Sequence, residues 1–233
     1  MALIDKITAY YKLDESSGNP VDSSGNGYTL TNSNVTFGAA KINNGAIFNS
    51  NTDRLINNSL AINNSPTGKF GVSGWVKINT APSSSSQQTI FDASSNGKRD
   101  SIFRYVDDSG TKKVQISNYD GSTEQKSAIT YTLTVGNWYH FVVNYDTQVY
   151  TVYINNSNIG GLTATNNNTV ATTSFSLGIH PTAAVVNLLG ELDEIAVSIN
   201  DTFTTGEIAE LYNSGNGLQY PFAVGSSKFF QLF

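Results

Sequence analysis

Cysteine is absent from all 233 residues. That excludes disulfides, thiolate zinc sites and a cysteine nucleophile together. Charge is also scarce, at 13%, with 13 Lys and Arg against 18 Asp and Glu for a net −5. No basic cluster is available to neutralise a phosphate backbone, so nucleic acid is not an expected partner. Long apolar runs are missing too: none approaches the ~18–20 residues that span a bilayer, and no membrane partner is expected. The first residues, "MALIDKITAYYKLDE", lack the basic start and apolar core of a signal peptide, because Asp5 and Lys6 interrupt them.

Uncharged polar residues, 20 Gly, 12 Tyr and 12 Phe fill the space that charge leaves. Asn, Ser, Thr and Gly suit turns better than helices. Hydrophobic residues make up 39%, enough for a sizeable core, and β-sandwiches often reach this length as one unit.

Period-two alternation runs through several segments. In "KFGVSGWVKI", Phe70, Val72, Val76 and Ile78 share a face, with Ser73, Trp75 and Lys77 opposite. Tyr139, Phe141, Val143 and Tyr145 share a face in "NWYHFVVNYD". "QVYTVYINN" follows at once, so the two form a predicted hairpin. A second hairpin is predicted in "SIFRYVDDSGTKKVQISNY", turning at Asp107-Asp108-Ser109-Gly110, where Gly110 accepts a positive φ. "TSFSLGIH" and "LLGELDEIAVSI" read as further strands, and 80–89 and 163–173 as low-complexity loops. Many antiparallel strands with regular turns predict an all-β sandwich or jelly roll.

One short helix is predicted in "FTTGEIAELYNSGNG": Thr204 and Glu207 form a capping box, and Gly215 follows the C-cap. The sandwich is assigned to 1–222. The remaining 223–233, "AVGSSKFFQLF", form a separate apolar tail. Phe229, Phe230, Leu232 and Phe233 there either fold back on the core or plug a partner subunit.

The segments "AYYKLDESSGNPVDSSGNGYTLT", "GAIFN", "FGVSGWVKI", "GNWYHFVVNYD" with "VYINN", and "LGELDEIAVS…FTTGEIAELYNSG" occur in an order that resembles the laminin-G-like, concanavalin A-like lectin/glucanase superfamily. The resemblance spans Ile7 to Phe222 and implies a jelly-roll sandwich of two antiparallel sheets, to which the residues add one short C-terminal helix. It also implies a calcium ion joining an early loop to a late strand, which carries over to Asp22 and Asn26 in "VDSSGNG" and to Asp193 in "LDE". Calcium takes 6–8 oxygen ligands of these types. The alternative for Asp22 is an Asx-turn onto its own backbone.

Glucanases of this superfamily use a Glu-x-Asp-x-x-Glu strand, with two glutamates acting as a pair. In "GELDEIAVS" (190–198), Glu191 and Asp193 match, but Ala196 stands where the second glutamate belongs. Strand alternation turns Glu194 away from Glu191 and Asp193. His140 and His180 are isolated, and no nucleophile elbow, zincin or phosphate-loop motif occurs. The expectation is a non-catalytic, lectin-like module that attaches weakly and multivalently to glycans. A Tyr- and Asn-rich chain without an export signal fits the surface of a virion assembled in a host cytoplasm, as a phage decoration, fibre or tail-associated protein. The rivals are a purely structural virion protein docked through its tail and a bacterial surface adhesion domain.

Overall fold

The computed structural model describes residues 2–95, 98–119, 123–165, 172–179 and 187–222. A single helical turn, α1 (Leu3–Lys6), precedes the strands. In chain order these are β1 (Ala9–Tyr11), β2 (Thr31–Ser33), β3 (Thr36–Ala39), β4 (Asn44–Phe48), β5 (Arg54–Asn57), β6 (Lys69–Ile78), β7 (Gln87–Ser95) and β8 (Lys98–Asp108). There follow β9 (Thr111–Tyr119), β10 (Glu124–Thr130), β11 (Trp138–Asp146), β12 (Val149–Ile154), β13 (Ser157–Thr163), β14 (Ser174–Leu177) and β15 (Gly190–Ile199), then helix α2 (Thr205–Tyr212).

The strands make two antiparallel sheets. One runs β13-β12-β11-β6-β15-β4-β3, with β1 pairing β15 as its eighth strand. The other runs β10-β9-β8-β7-β14-β5-β2. The fold is the expected all-β sandwich of concanavalin A-like type, with a short C-terminal helix. The alternating residues explain the packing. Phe70, Val72, Val76 and Ile78 of β6, and Phe141, Val143 and Tyr145 of β11, all enter the core between the sheets. Phe141 reaches across to Phe91 and Phe103 of the facing sheet, at ring-centre distances of 6.4 and 5.4 Å. Each such buried ring contributes roughly 1.5–3 kcal/mol of transfer free energy.

Both hairpins form as read. Thr147 and Gln148 join β11 to β12 with φ of 51° and 71°, and Ser109 and Gly110 join β8 to β9 with φ of 54° and 89°. Two successive left-handed residues are what a two-residue hairpin requires. Three boundaries differ from the sequence reading. β7 starts at Gln87, inside the expected 80–89 loop, because Gln87, Gln88 and Thr89 pair with Val106, Tyr105 and Arg104. The α2 capping box is present, but Asn213 rather than Gly215 ends the helix, taking the left-handed conformation at φ 45°. The one-turn α1 was too short to leave a periodic signal.

The two outer faces are treated differently. Over the eight-stranded sheet lies a second apolar cluster in which Leu3, Ile7, Tyr10, Phe203, Ile208, Leu211 and Phe222 cover Val142 and Ala196. The outer face of β7–β10 carries polar side chains with Val106 and Ala128 among them, and among the described residues no helix packs on it. No helix of the described residues is long and apolar enough to cross a membrane. The tail residues Phe229, Phe230, Leu232 and Phe233, and His180, lie outside the described residues.

Candidate functional site

Strand β15 carries the acids that first suggest chemistry. Its pairing with β6 is interrupted: Asp193 pairs with Trp75 and Ala196 with Ser73, leaving Glu194 and Ile195 opposite Gly74 alone. This is a β-bulge, and Glu194 takes the left-handed conformation at φ 51°. The extra residue corrects the alternation read from sequence. Leu192, Ile195 and Val197 enter the core. Glu194 does not turn away from Asp193: its carboxylate accepts hydrogen bonds from the Tyr10 hydroxyl and, at 2.6 Å, from the Gln219 amide, both in the layer over the outer face.

The acids do not form a catalytic pair. Glu191 is bound by Lys77 at 2.7 Å and by the Asn79 amide at 3.1 Å. Asp193 is fully buried; burial pushes its carboxyl up to about 9, against the Ile42 amide that donates to Oδ2 at 2.7 Å. It is therefore protonated at neutral pH. Burial likewise raises Glu194 to about 7, with the Tyr10 and Gln219 hydrogen bonds opposing. Ala196, at the position of the second glutamate, is sealed under the apolar layer. His140 is structural: it is buried against Trp75 and Tyr212, shares a 2.9 Å hydrogen bond with Ser73, and desolvation lowers it to about 3.

The residues implied for calcium are separately engaged. Asp22 Oδ1 accepts the amides of Tyr10 (3.0 Å) and Ser24 (2.9 Å), and Oδ2 accepts that of Tyr28 (3.1 Å). Three of a carboxylate's roughly four acceptor positions are filled, and the Ser24 contact is the Asx-turn. The Asn26 amide donates to the Thr8 carbonyl at 2.9 Å. Asp193 shares no hydrogen-bond partner with either. Among the described residues no group of three acidic or histidine side chains is placed to hold a metal, so these three do not fit one ion. What joins the early loop to the late strand is Tyr10. Its backbone NH binds Asp22, its carbonyl accepts the Ser23 amide at 2.8 Å, and its hydroxyl binds Glu194.

An open site lies on the other sheet. Cross-strand register puts Thr89, Arg104, Gln115 and Ala128 in one row across β7–β10, and Gln87 beside Val106 in the next. The core-facing neighbours Phe103, Tyr105, Val114 and Ile116 alternate with them. Arg104 is buried in this face, where Nε donates to Gln115 Oε1 at 2.8 Å, an η-nitrogen donates to Ser117 Oγ at 2.8 Å, and Glu124 completes an ion pair. Above this base a cleft of about 440 Å³ opens, floored by Val106 and Ala128. Gln87, Gln115 and Lys126 line it from the strands, Asp107 and Asp108 from the end of β8, and Ser85, Ser86 and Ser109 from the adjoining turns. The signal lies in "IFRYV" and "VQIS", where Arg104, Gln115 and Ser117 alternate with apolar residues.

The family model of the concanavalin A-like lectin/glucanases superfamily, laminin G type, matches residues 48–209. The chain belongs to this superfamily. No curated protein matches it. Among solved structures of the superfamily's fold, domain 4 of AbnA is similar with a TM-score of 0.67 and 20% identity. AbnA is a GH43 extracellular arabinanase from Geobacillus stearothermophilus, solved in complex with arabinotriose; the match covers 88% of this chain and 97% of that one. The binding domain of Paraclostridial Mosquitocidal Protein 1 gives 0.74 and 14%, covering 92% of this chain and 53% of that one. The receptor binding domain of a botulinum neurotoxin C/D mosaic serotype gives 0.69 and 15%, covering 90% and 51%. The chain thus spans about half the length of these two toxin domains. At such identities the likeness shows the fold alone.

Proposed function

We propose that this chain is a non-catalytic, lectin-like domain that binds a saccharide in the cleft on the open face of the seven-stranded sheet. The observation that carries this reading is the cleft itself: a built polar face whose two carboxylates, Asp107 and Asp108, are each taken by a lysine. Its volume of about 440 Å³ falls in the small-ligand range of about 300–1,000 Å³. Amides, hydroxyls, carboxylates and an ammonium surround a small apolar floor, which suits the mixed donors and acceptors of a sugar. The similar arabinanase domain, solved in complex with arabinotriose, supports a saccharide ligand, and the two toxin binding domains support binding as the role of the fold.

The setting we favour is the surface of a virion, where many copies turn weak sites into useful attachment because linkage raises effective concentration. The test is a glycan array probed with a multivalent display of the protein, followed by titration of Gln87→Ala and Gln115→Ala. Binding to one saccharide class, weakened by both substitutions, supports the reading. Absence of binding at high valency, or binding indifferent to both substitutions, overturns it.

A further inference from the structure

We infer that the ligand of this cleft is an anionic saccharide, its carboxylate or sulfate held by Lys126. The inference rests on the saccharide reading above and adds the ligand's charge. It follows from an inventory of the charges around the cleft. Asp107 is paired with Lys112, and Asp108 with Lys113 at 2.8 Å. Both carboxylates are lowered by those lysine hydrogen bonds, so both are ionised and occupied. Beneath the floor, Arg104 is matched by Glu124. Burial alone would raise Glu124, but Arg104, with smaller contributions from the Ser117 hydroxyl and the Lys126 charge, outweighs it and the carboxyl ends below its usual value. Lys126 is left over: it lines the cleft, is exposed, and among the described residues forms no ion pair.

The balance is local and runs against the chain as a whole. Four cations (Arg104, Lys112, Lys113, Lys126) face three carboxylates (Asp107, Asp108, Glu124) around this face, in a protein of net charge −5. Position matches charge. Lys126 pairs in register with Ser117, the residue whose hydroxyl holds Arg104, and stands two residues from the floor residue Ala128. An anionic group entering over Val106 and Ala128 meets an ammonium that feels Glu124 at a distance but is ion-paired by no carboxylate among the described residues. A neutral sugar leaves that ammonium to water and gains nothing from it. A charge-assisted hydrogen bond is stronger than a neutral one.

The experiment uses matched pairs on the array: oligogalacturonate against its methyl ester, and sulfated galactan against its desulfated form, with further charged and neutral pairs of other skeletons. Wild type should bind the charged member of a pair about five-fold more tightly, the scale of a partly exposed ion pair. The preference should fade at high salt. Lys126→Gln should erase it and Lys126→Glu should reverse it, while a thermal melt confirms that each variant folds. The two arms separate carboxylate from sulfate. Equal binding to both members, still weakened by Gln115→Ala, overturns the anionic inference and leaves the saccharide reading standing. A charge preference that survives in Lys126→Gln overturns the assignment to Lys126. Failure of every saccharide to bind overturns both readings.

Discussion

Tyr10→Phe tests whether a tyrosine, and no ion, joins the early loop to the late strand. Tyr10 is fully buried. Its ring packs against Tyr220 at 5.2 Å and Phe222 at 5.5 Å, and phenylalanine keeps those contacts. The substitution therefore removes one hydroxyl without opening a cavity. That hydroxyl donates to Glu194 and lies 3.0 Å from the Leu218 carbonyl. Leaving a buried acceptor unpaired costs about 1–3 kcal/mol. Taking about 2 kcal/mol at pH 8, a chain of this size should melt about 4–8 °C lower.

The pH dependence separates this mechanism from simple loss of packing. Burial first, and neighbouring acid second, raise Glu194 from 4.5 to about 7, while the Tyr10 hydrogen bond pulls it down. A carboxyl raised in the folded state holds more protons than in the unfolded chain between those values. Its contribution is then most favourable below pH 4.5 and is lost as pH rises through 7, by about 3 kcal/mol in full. Without the phenol, the Glu194 pKa rises further and the loss continues to higher pH. The gap between wild type and variant should thus be near 1 kcal/mol at pH 5, where both forms hold the proton, and should widen towards pH 8. Melts by circular dichroism at pH 5, 6, 7 and 8 measure it. A gap that stays constant with pH, or vanishes at pH 8, refutes the coupling of Tyr10 to an ionising Glu194.

Three further outcomes follow from the same geometry. His140 is lowered from 6.5 to about 3 by burial, so its neutral form stabilises the fold above pH 6.5 and that stability drains away at about 1.4 kcal/mol per pH unit down to pH 3; His140→Gln should remove this slope from the stability measured by denaturant titration between pH 6 and 4, so that its gap to wild type changes with pH. A Cβ on Gly74 would sit 2.3 Å from Ile195 Cδ1, so Gly74→Ala should cost about 1–3 kcal/mol by overpacking, and an unchanged denaturant midpoint would show that the bulge yields. Chelation with EDTA should leave the melting temperature unchanged, because Asp22 is already occupied by three amides; a fall restored by added calcium would show that an ion holds this end.

The contrast between β6 and β15 shows how far sequence alone reaches. In β6 the period of two is unbroken, so the four inward residues were assigned correctly from "KFGVSGWVKI". In β15 one extra residue resets the phase, and everything after Asp193 changes face relative to a regular strand. The glycine that permits this lies on the neighbouring strand, at Gly74, where Ile195 fills the place of the missing side chain. Nothing within "GELDEIAVS" records that dependence. The same limit applies to Tyr10: "AYY" reads as a strand, but its tie to Asp22 and Glu194 spans up to 184 positions. The open cleft was nearer to hand. Arg104, Gln115 and Ser117 alternate with core residues inside a hairpin whose register the turn fixes, so their shared face follows from the sequence once the hairpin is granted. That Arg104 is consumed by Glu124, leaving Lys126 as the cation presented to a ligand, needs β10 laid beside β9. Local alternation gives the face a residue occupies; only the neighbouring strand decides whether its charge is cancelled.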